Sequence, residues 1–190
     1  MELREIIEAY RPACIQEEAD RGGMLRALKE GRDLLTRNNP FLHFTASSWI
    51  VDPGRDLVLM VYHNIYNSWS WTGGHADGDP DLMGVALREA REETGLKELR
   101  ALSPAPISLE ILPVPAHVKR GAFVSAHLHL NLTWALAADA SRPLRVKPDE
   151  NSDVRWFSPE DAVAVSTEAD MKVIYEKLNR AVAALRPTPV

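Results

Sequence analysis

The chain has 190 residues, of which 45% are hydrophobic and 26% are charged. These values are ordinary for a globular protein and allow one domain with a sizeable core, with room for an added helical arm. The net charge of -5 argues against a binder of nucleic acid polymers, which would carry a basic excess. Free nucleotides stay compatible with this charge, because a metal ion can screen an acidic pocket.

The cysteine content and the length of the apolar runs indicate in which cellular compartment the protein is expected. Cys14 is the only cysteine, so an intramolecular disulfide is excluded and a reducing compartment is favoured. The opening residues MELREIIEAYRP mix charges with apolar residues and lack the apolar core of a signal peptide. No run approaches the ~18 apolar residues of a membrane span. We therefore expect a cytoplasmic protein without a membrane partner.

The first part of the chain is predicted to be helical, because apolar residues recur there at helical spacing. Pro12 and the pair Gly22–Gly23 are expected to interrupt the helices, and the turn residues at positions 38 to 40 end the segment. We divide the chain into an N-terminal helical arm, residues 1–39, and a main domain, residues 40–190. The arm is expected to serve packing or a homodimer contact rather than a separate activity.

From Phe41 onward the pattern is that of β-strands. The runs HFTASSWIV and DLVLMVYH flank the turn Asp52-Pro53-Gly54, which predicts a hairpin. The second run is apolar nearly throughout, as in a central strand that is covered on both faces. Two later strands are predicted at Ile107–Val114 and Asp153–Phe157. A helix is predicted to start at Ser158, and a last amphipathic helix to span Thr167–Leu185.

The stretch Trp71–Leu96 carries the clearest local signals in the chain. Asp79 is predicted to cap a helix that begins at Pro80, where the missing N–H of proline costs nothing. Gly95, directly after Thr94, is typical of a left-handed C-terminal cap. We expect a helix of about four turns at ~3.6 residues per turn.

Three glutamates of this helix share one face, because Glu89, Glu92 and Glu93 stand at i, i+3 and i+4. Their carboxylates repel one another, and a hard divalent cation such as Mg²⁺ would relieve that repulsion. A solvated helix face with an ordinary Arg88–Glu92 ion pair is the simpler explanation for an isolated EAREE segment. A metal site is favoured here because nearby glycines let a loop fold tightly beside the carboxylates. These glycines are Gly73, Gly74 and Gly78.

The same stretch resembles the Nudix box, G-x5-E-x7-R-E-U-x-E-E-x-G-U, where U is apolar. The residues in register with that pattern are Gly74, Arg88, Glu89, Ala90, Glu92, Glu93, Gly95 and Leu96. One position departs, because Pro80 stands where the family has its first glutamate. We expect Asp79 or Asp81 to take over part of that glutamate's structural role. The absence of this glutamate affects the conformation of the loop before the helix and the ion-pair partner of Arg88 more than it affects the metal site.

The resemblance implies an α/β fold, a Nudix-like αβα sandwich with a mixed β-sheet. It also implies a pyrophosphatase-type hydrolase that cleaves a diphosphate bond in a nucleoside diphosphate linked to another moiety, such as a nucleotide or a sugar. In such an enzyme Glu89, Glu92 and Glu93 would hold one or more Mg²⁺ ions, with Mn²⁺ as the alternative. Arg88 would orient a glutamate rather than contact the substrate.

A further glutamate is implied near the end of the sheet. Nudix-like domains often carry one in the loop before a final strand, where it acts as a base or as another metal ligand. Glu150 is the best-placed candidate, and Asp149 and Asp153 compete with it. Either Glu89 or Glu150 would accept a proton from the attacking water. A solvated acidic turn is an equally good explanation of the loop.

The substrate contacts are expected on a polar strand face and in two loops. Strand alternation in SAHLHLNLTW separates polar from apolar residues, and in a sheet covered on both sides the polar row lines a pocket. The cations of the loop PAHVKRG could hold a phosphate, although a solvated turn is as plausible. The expected contacts are His75, Arg120, His127, His129 and Asn131. Two histidines at i, i+2 also suit a transition metal, but no third nitrogen or thiolate ligand is evident nearby in sequence.

Two other functions are compatible with this resemblance. An isomerase of isoprenoid diphosphates uses a Nudix-like fold, but it needs a pocket cysteine, and Cys14 lies in the N-terminal arm. A non-catalytic domain could bind a nucleotide or sugar diphosphate to regulate a partner. Pro80 and the unexplained N-terminal arm keep this second alternative open, and the intact Glu89, Glu92 and Glu93 count against it.

Overall fold

The computed structural model describes residues 2–119 and 121–185. Five helices and ten strands lie in these ranges. In chain order they are α1 (Leu3–Ala9), α2 (Ile15–Lys29), β1 (Leu42–Val51), β2 (Val58–His63), β3 (Ser68–Ser70), β4 (Thr72–His75), α3 (Leu82–Thr94), β5 (Arg100–Ala101), β6 (Ser108–Val114), β7 (His117–Lys119), β8 (Ala122–Val124), β9 (His127–Ala137), β10 (Asn151–Phe157), α4 (Pro159–Ala164) and α5 (Ala169–Ala184). None of these helices is long and apolar enough to cross a membrane.

Eight of the strands form one mixed sheet with the order β10-β2-β1-β9-β5. Strands β3, β4 and β6 pair with β2, β1 and β9, respectively, and β7 and β8 form a separate hairpin. β1 and β9 are parallel along the whole of β1, whereas β1 and β2 form the predicted antiparallel hairpin. The predicted α/β class with a mixed sheet and N-terminal helices is confirmed.

The two faces of the sheet pack against different helices, because successive side chains of a strand point to opposite sides. Phe44 and Ala46 of β1 belong to a core cluster with α1, α2 and α3. Trp49 and Val51 belong to a second cluster, in which α5 covers the opposite face. The N-terminal half of that second face carries polar side chains instead. The sheet therefore offers a polar region next to a well-packed apolar one.

The predicted start of the box helix is wrong by two residues. α3 begins at Leu82, and the carboxylate of its N-cap Asp81 accepts a hydrogen bond of 3.0 Å from the amide three residues on. Asp79 accepts a hydrogen bond of 2.9 Å from the Asp81 amide instead, which forms a turn around Pro80. Asx-turns of this kind compete with helix capping. The predicted left-handed C-terminal cap at Gly95 is confirmed, with a φ of 75°.

The predicted break at Gly22–Gly23 is also wrong, because α2 runs through both glycines. A Cβ atom at Gly23 would lie 2.8 Å from Cδ1 of Ile111, so the glycine lets α2 approach β6 closely. The arm contributes buried side chains to the core on that face of the sheet: Leu3, Ile7, Met24 and Leu34. The domain division after residue 39 and the homodimer contact stay predictions.

A buried ion-pair network connects α2, β6 and α5. Nζ of Lys177 lies 2.8 Å from a carboxylate oxygen of Glu17 and 2.8 Å from one of Glu110. Both carboxylates are almost fully buried, and the Ser108 hydroxyl contacts each of them. Burial raises the pKa of Glu110, although the Lys177 ammonium opposes this shift. Among the described residues, the Lys177 ammonium is the cation that compensates both buried carboxylates.

Replacement of this cation should destabilise the fold. Lys177→Met leaves two buried carboxylates without their partner, and we expect a loss of about 3–5 kcal/mol in the free energy of unfolding. Lys172→Met on the same helix is the control, because within the described part of the chain Lys172 donates only to the Ala164 carbonyl, at 3.0 Å. Its cost should stay within about 1 kcal/mol. Urea unfolding followed by circular dichroism measures both, and equal stability of the two variants would contradict the prediction.

Candidate active site

Three glutamates from two separate segments meet beside β4. Glu89 and Glu93 are one turn apart on α3, and Glu150 directly precedes β10. One carboxylate oxygen from each lies within 4.8 Å of the other two. The donor set consists only of oxygens, which is what hard divalent cations bind.

Glu93 is the most deeply buried member of this cluster, with a relative exposure of 3%. Burial raises the pKa of Glu93 well above its usual value. The Gly73 amide opposes the shift by donating a hydrogen bond of 2.9 Å, and the carboxylates of Glu150 and Glu89 reinforce it. Negative charge is therefore costly at this position without a cation nearby. The cluster fits a divalent cation by its donor chemistry and by the cost of keeping a buried carboxylate charged beside two others.

Glu89 lies directly against the box glycine. A Cβ atom at Gly74 would stand 2.5 Å from Cδ of Glu89, so only glycine leaves room for this carboxylate. Burial raises the pKa of Glu89, and the Glu92 carboxylate adds to the shift. Nη2 of Arg88 lies 3.7 Å from Oε1 of Glu89. Arg88 is thus placed to orient this carboxylate.

Glu92 is not part of the three-glutamate cluster and instead forms an ion pair with Lys147. Nζ of Lys147 lies 2.8 Å from Glu92 and 3.0 Å from Glu150, so the ammonium connects α3 to the loop before β10. Burial lowers the pKa of Lys147, but its hydrogen bonds to the two carboxylates outweigh this and leave the pKa above the usual value. Lys147 was not predicted as a site residue. The one feature of the sequence that could have indicated it is its position three residues before Glu150.

Asn151 is a second residue that the sequence analysis missed. Its side chain is fully buried, and Nδ2 donates a hydrogen bond of 3.0 Å to the backbone oxygen of Glu93. Its Oδ1 accepts a hydrogen bond of 3.1 Å from the Lys147 amide. Asn151 therefore holds the loop that carries Glu150 against the end of α3.

The two aspartates around Pro80 make different contacts. Oδ2 of Asp79 lies 3.4 Å from Nη1 of Arg88, whereas Asp81 caps α3. Arg88 therefore has carboxylate partners on both sides, Asp79 and Glu89. Whether these aspartates replace the family's first glutamate stays a prediction.

The histidines expected to contact substrate form a second cluster. His127 and His129 of β9 lie beside His75 of β4, together with His43 of β1, which sequence analysis did not single out. Burial and the neighbouring imidazoles lower the pKa of His129 to about 2. This shift favours the neutral form of the His129 imidazole, which can bind a metal ion or donate a hydrogen bond.

Asn131 lies deeper on the same face, with a relative exposure of 1%. Its Oδ1 accepts hydrogen bonds from two hydroxyls, and its Nδ2 donates to a carboxylate and a third hydroxyl. The partners are Thr45, Ser47, Glu110 and Thr133. The amide is fully engaged within the protein. Arg120, the remaining expected contact, lies outside the described residues.

A family model for the NUDIX domain matches residues 41–178. The chain therefore belongs to the Nudix family, as the box motif predicted. Nudix hydrolases generally act on nucleoside diphosphate derivatives and generally use divalent metals. No curated protein matches the chain in sequence.

Several solved structures share this fold. A Nudix hydrolase from M. smegmatis, RenU, aligns with a TM-score of 0.58 at 15% identity over 78% of this chain and 90% of that one. A C. elegans Ap4A hydrolase in a binary complex aligns with a TM-score of 0.52 at 17% identity, over 74% and 97%. A NUDIX family hydrolase from Clostridium perfringens aligns with a TM-score of 0.51 at 22% identity, over 76% and 98%. At these identities the likeness shows the fold alone.

The contact between Gly74 and Glu89 can be tested by metal binding. Gly74→Ala should displace the flexible end of Glu89, because the three atoms nearest to the added methyl group all belong to that side chain, at 2.5–2.9 Å. We expect the dissociation constant for Mn²⁺ to rise ~10–100-fold, as when a supporting partner of a metal ligand is lost. Isothermal titration calorimetry measures it. Gly22→Ala, whose Cβ would meet only Arg26 at 3.4 Å, is the control, and equal affinity of both variants would refute the contact's importance.

Proposed function

We propose that this protein is a Mg²⁺-dependent hydrolase that cleaves a diphosphate bond in a nucleoside diphosphate linked to another moiety. The proposal depends above all on the meeting of Glu89, Glu93 and Glu150 beside the glycines of the box. Mn²⁺ is the alternative cation, since the same oxygen ligands suit both. The substrate is a small molecule rather than a nucleic acid polymer or a membrane lipid surface.

The three clustered glutamates would hold the cation through their carboxylate oxygens. Glu92 lies outside this group and pairs through Oε2 with Nζ of Lys147 at 2.8 Å, which leaves its other carboxylate oxygen for the cation. When bound, Mg²⁺ would neutralise the charge of the diphosphate and lower the pKa of an attacking water. Lys147 is partly exposed beside this group, so its ammonium would be available to an anionic substrate at the edge of the site.

A proton acceptor for the water is available at two positions, Glu89 and Glu150. Glu89 is braced by Arg88 and Gly74, and Glu150 is paired with Lys147 at 3.0 Å. Either carboxylate can accept the proton if it is not fully used as a ligand. Arg88 acts as a positioning residue, since its guanidinium contacts carboxylates on both sides.

The alternative functions gain no specific support from the site. Cys14 is exposed and directly precedes α2, outside the glutamate cluster, which counts against an isomerase that needs a pocket cysteine. The lone free cysteine also supports a cytoplasmic location as part of the proposal. Substrate contacts at His75, His127, His129, Asn131 and Arg120 stay predictions.

Hydrolysis of a substrate panel tests the proposal. The panel holds dinucleotides with Ap4A among them, nucleotide sugars and nucleoside triphosphates, each with and without Mg²⁺, and product release is followed by chromatography. We expect Mg²⁺-dependent cleavage of at least one class. Glu93→Gln should lower kcat/KM by roughly 10²-fold or more, because a bound metal supplies several kcal/mol of transition-state stabilisation.

Glu98→Gln is the matched control, because Glu98 is an exposed carboxylate just beyond α3 whose side chain pairs, among the described residues, with Arg142 at 3.4 Å. Its activity should equal that of the parent protein. Glu89→Gln and Glu150→Gln distinguish a metal ligand from the general base. Loss of a metal ligand should weaken Mg²⁺ binding, whereas loss of the general base should lower kcat even at saturating Mg²⁺. Tight binding of a panel member without any cleavage would instead indicate the non-catalytic alternative.

A further inference from the structure

Four of the six histidines gather on the polar half of the sheet face that α5 leaves uncovered. They are His43, His75, His127 and His129, and one ring nitrogen of each lies within 4.8 Å of the others. Their ring centroids are 4.9–5.1 Å apart in five of the six pairs. We call this group the four-histidine cluster.

The sheet register brings these residues together. His43 pairs with His129 in the parallel β1–β9 ladder, and His127 precedes His129 by two residues on the same face. His75 pairs with Thr45, which is two residues beyond His43 on β1. Three central strands therefore hold all four imidazoles on one face. Their backbone positions are fixed by sheet hydrogen bonds rather than by loops.

His43 has an unused ring nitrogen in this cluster. The side chain has a relative exposure of 4%, and its Nε2 has no hydrogen-bond partner within the described residues. Its Nδ1 lies 3.3 Å from the backbone oxygen of Asn39, which can only accept a hydrogen bond. Nδ1 therefore carries the proton and Nε2 keeps its lone pair. A buried polar atom without a partner costs free energy, so a ligand at Nε2 would be stabilising.

His127 has the same arrangement of its two ring nitrogens. Its Nδ1 lies 2.8 Å from the backbone oxygen of Ser125, and its Nε2 lies 3.1 Å from Nε2 of His129. A histidine that binds a metal through one ring nitrogen usually donates the N–H of its other ring nitrogen to such an oxygen, and this hydrogen bond sets the tautomer. Four nitrogens around a tetrahedral Zn²⁺ at ~2.0–2.1 Å are ~3.3 Å apart. A hydrogen bond between His127 and His129 would use the Nε2 atoms of both rings but would leave Nε2 of His43 without a partner among the described residues.

We propose that the four-histidine cluster is a second metal site, which takes a divalent transition ion and Zn²⁺ first of all. Imidazole nitrogen suits Zn²⁺, Ni²⁺ and Cu²⁺, whereas the oxygens of Glu89, Glu93 and Glu150 suit Mg²⁺. Four protein ligands close a tetrahedral site, which is typical of structural rather than catalytic zinc. The ion would link β1, β4 and β9. The three predicted substrate histidines would then act as metal ligands instead of direct substrate contacts.

The test titrates Zn²⁺ into the chelator-treated full chain in saturating Mg²⁺, by isothermal titration calorimetry. We expect one Zn²⁺ per chain and a rise in Tm of ~5–10 °C at free Zn²⁺ about 100-fold above the dissociation constant. Co²⁺ should give the strong visible absorption of a tetrahedral site. Glu93→Gln should leave Zn²⁺ binding unchanged, which separates this proposal from the proposed hydrolase activity.

His127→Ala and His75→Ala should each weaken Zn²⁺ binding by at least ~10–100-fold. Both side chains are only partly buried, so these variants keep the site testable if a change at buried His43 prevents folding. His63→Ala is the matched control, because His63 lies on β2 and stacks on Tyr66 outside the cluster. The proposal is overturned if Zn²⁺ does not bind with defined stoichiometry, or if His127→Ala and His75→Ala bind it as tightly as His63→Ala.

Discussion

The parallel pairing of β1 with β9 is the constraint on which the rest of the structure depends. Parallel neighbours need a long crossover connection, and here it contains the hairpin, the box loop and α3. β4 returns along the other side of β1, which places Gly73 and Gly74 beside α3. The same pairing sets His43 opposite His129. The histidine cluster therefore depends directly on the β1–β9 pairing, whereas the glutamate cluster depends on the neighbouring β1–β4 and β2–β10 pairings.

Buried carboxylates are treated in two different ways in this protein. Glu17 and Glu110 share Lys177 as an internal cation, with both contacts at 2.8 Å, so their charge is compensated by the chain itself. Glu89 and Glu93 crowd together with Glu150, and burial raises the pKa of the first two. Lys147 contacts the rim of this group rather than its interior. The first arrangement stabilises the fold, and the second suits a site that takes its cation from solution.

Local signals in the sequence predicted most elements because their causes are local. The hairpin turn, the strand alternation of SAHLHLNLTW and the cap at Gly95 each depend on neighbouring residues. The errors arose where packing or a competing turn decided the outcome. Gly22–Gly23 stays helical because α2 packs closely on β6, and Asp79 is used in a turn, so Asp81 caps α3 instead.

The sequence by itself determined that three glutamates share a helix face and that a glycine loop precedes them, because helical spacing and box spacing are short-range properties. Only the tertiary structure decided that Glu150 joins Glu89 and Glu93 while Glu92 pairs with Lys147. It also decided that His43 and His75 meet the two histidines of β9. Contacts between segments far apart in sequence depend on strand order and register, and no local pattern specifies these.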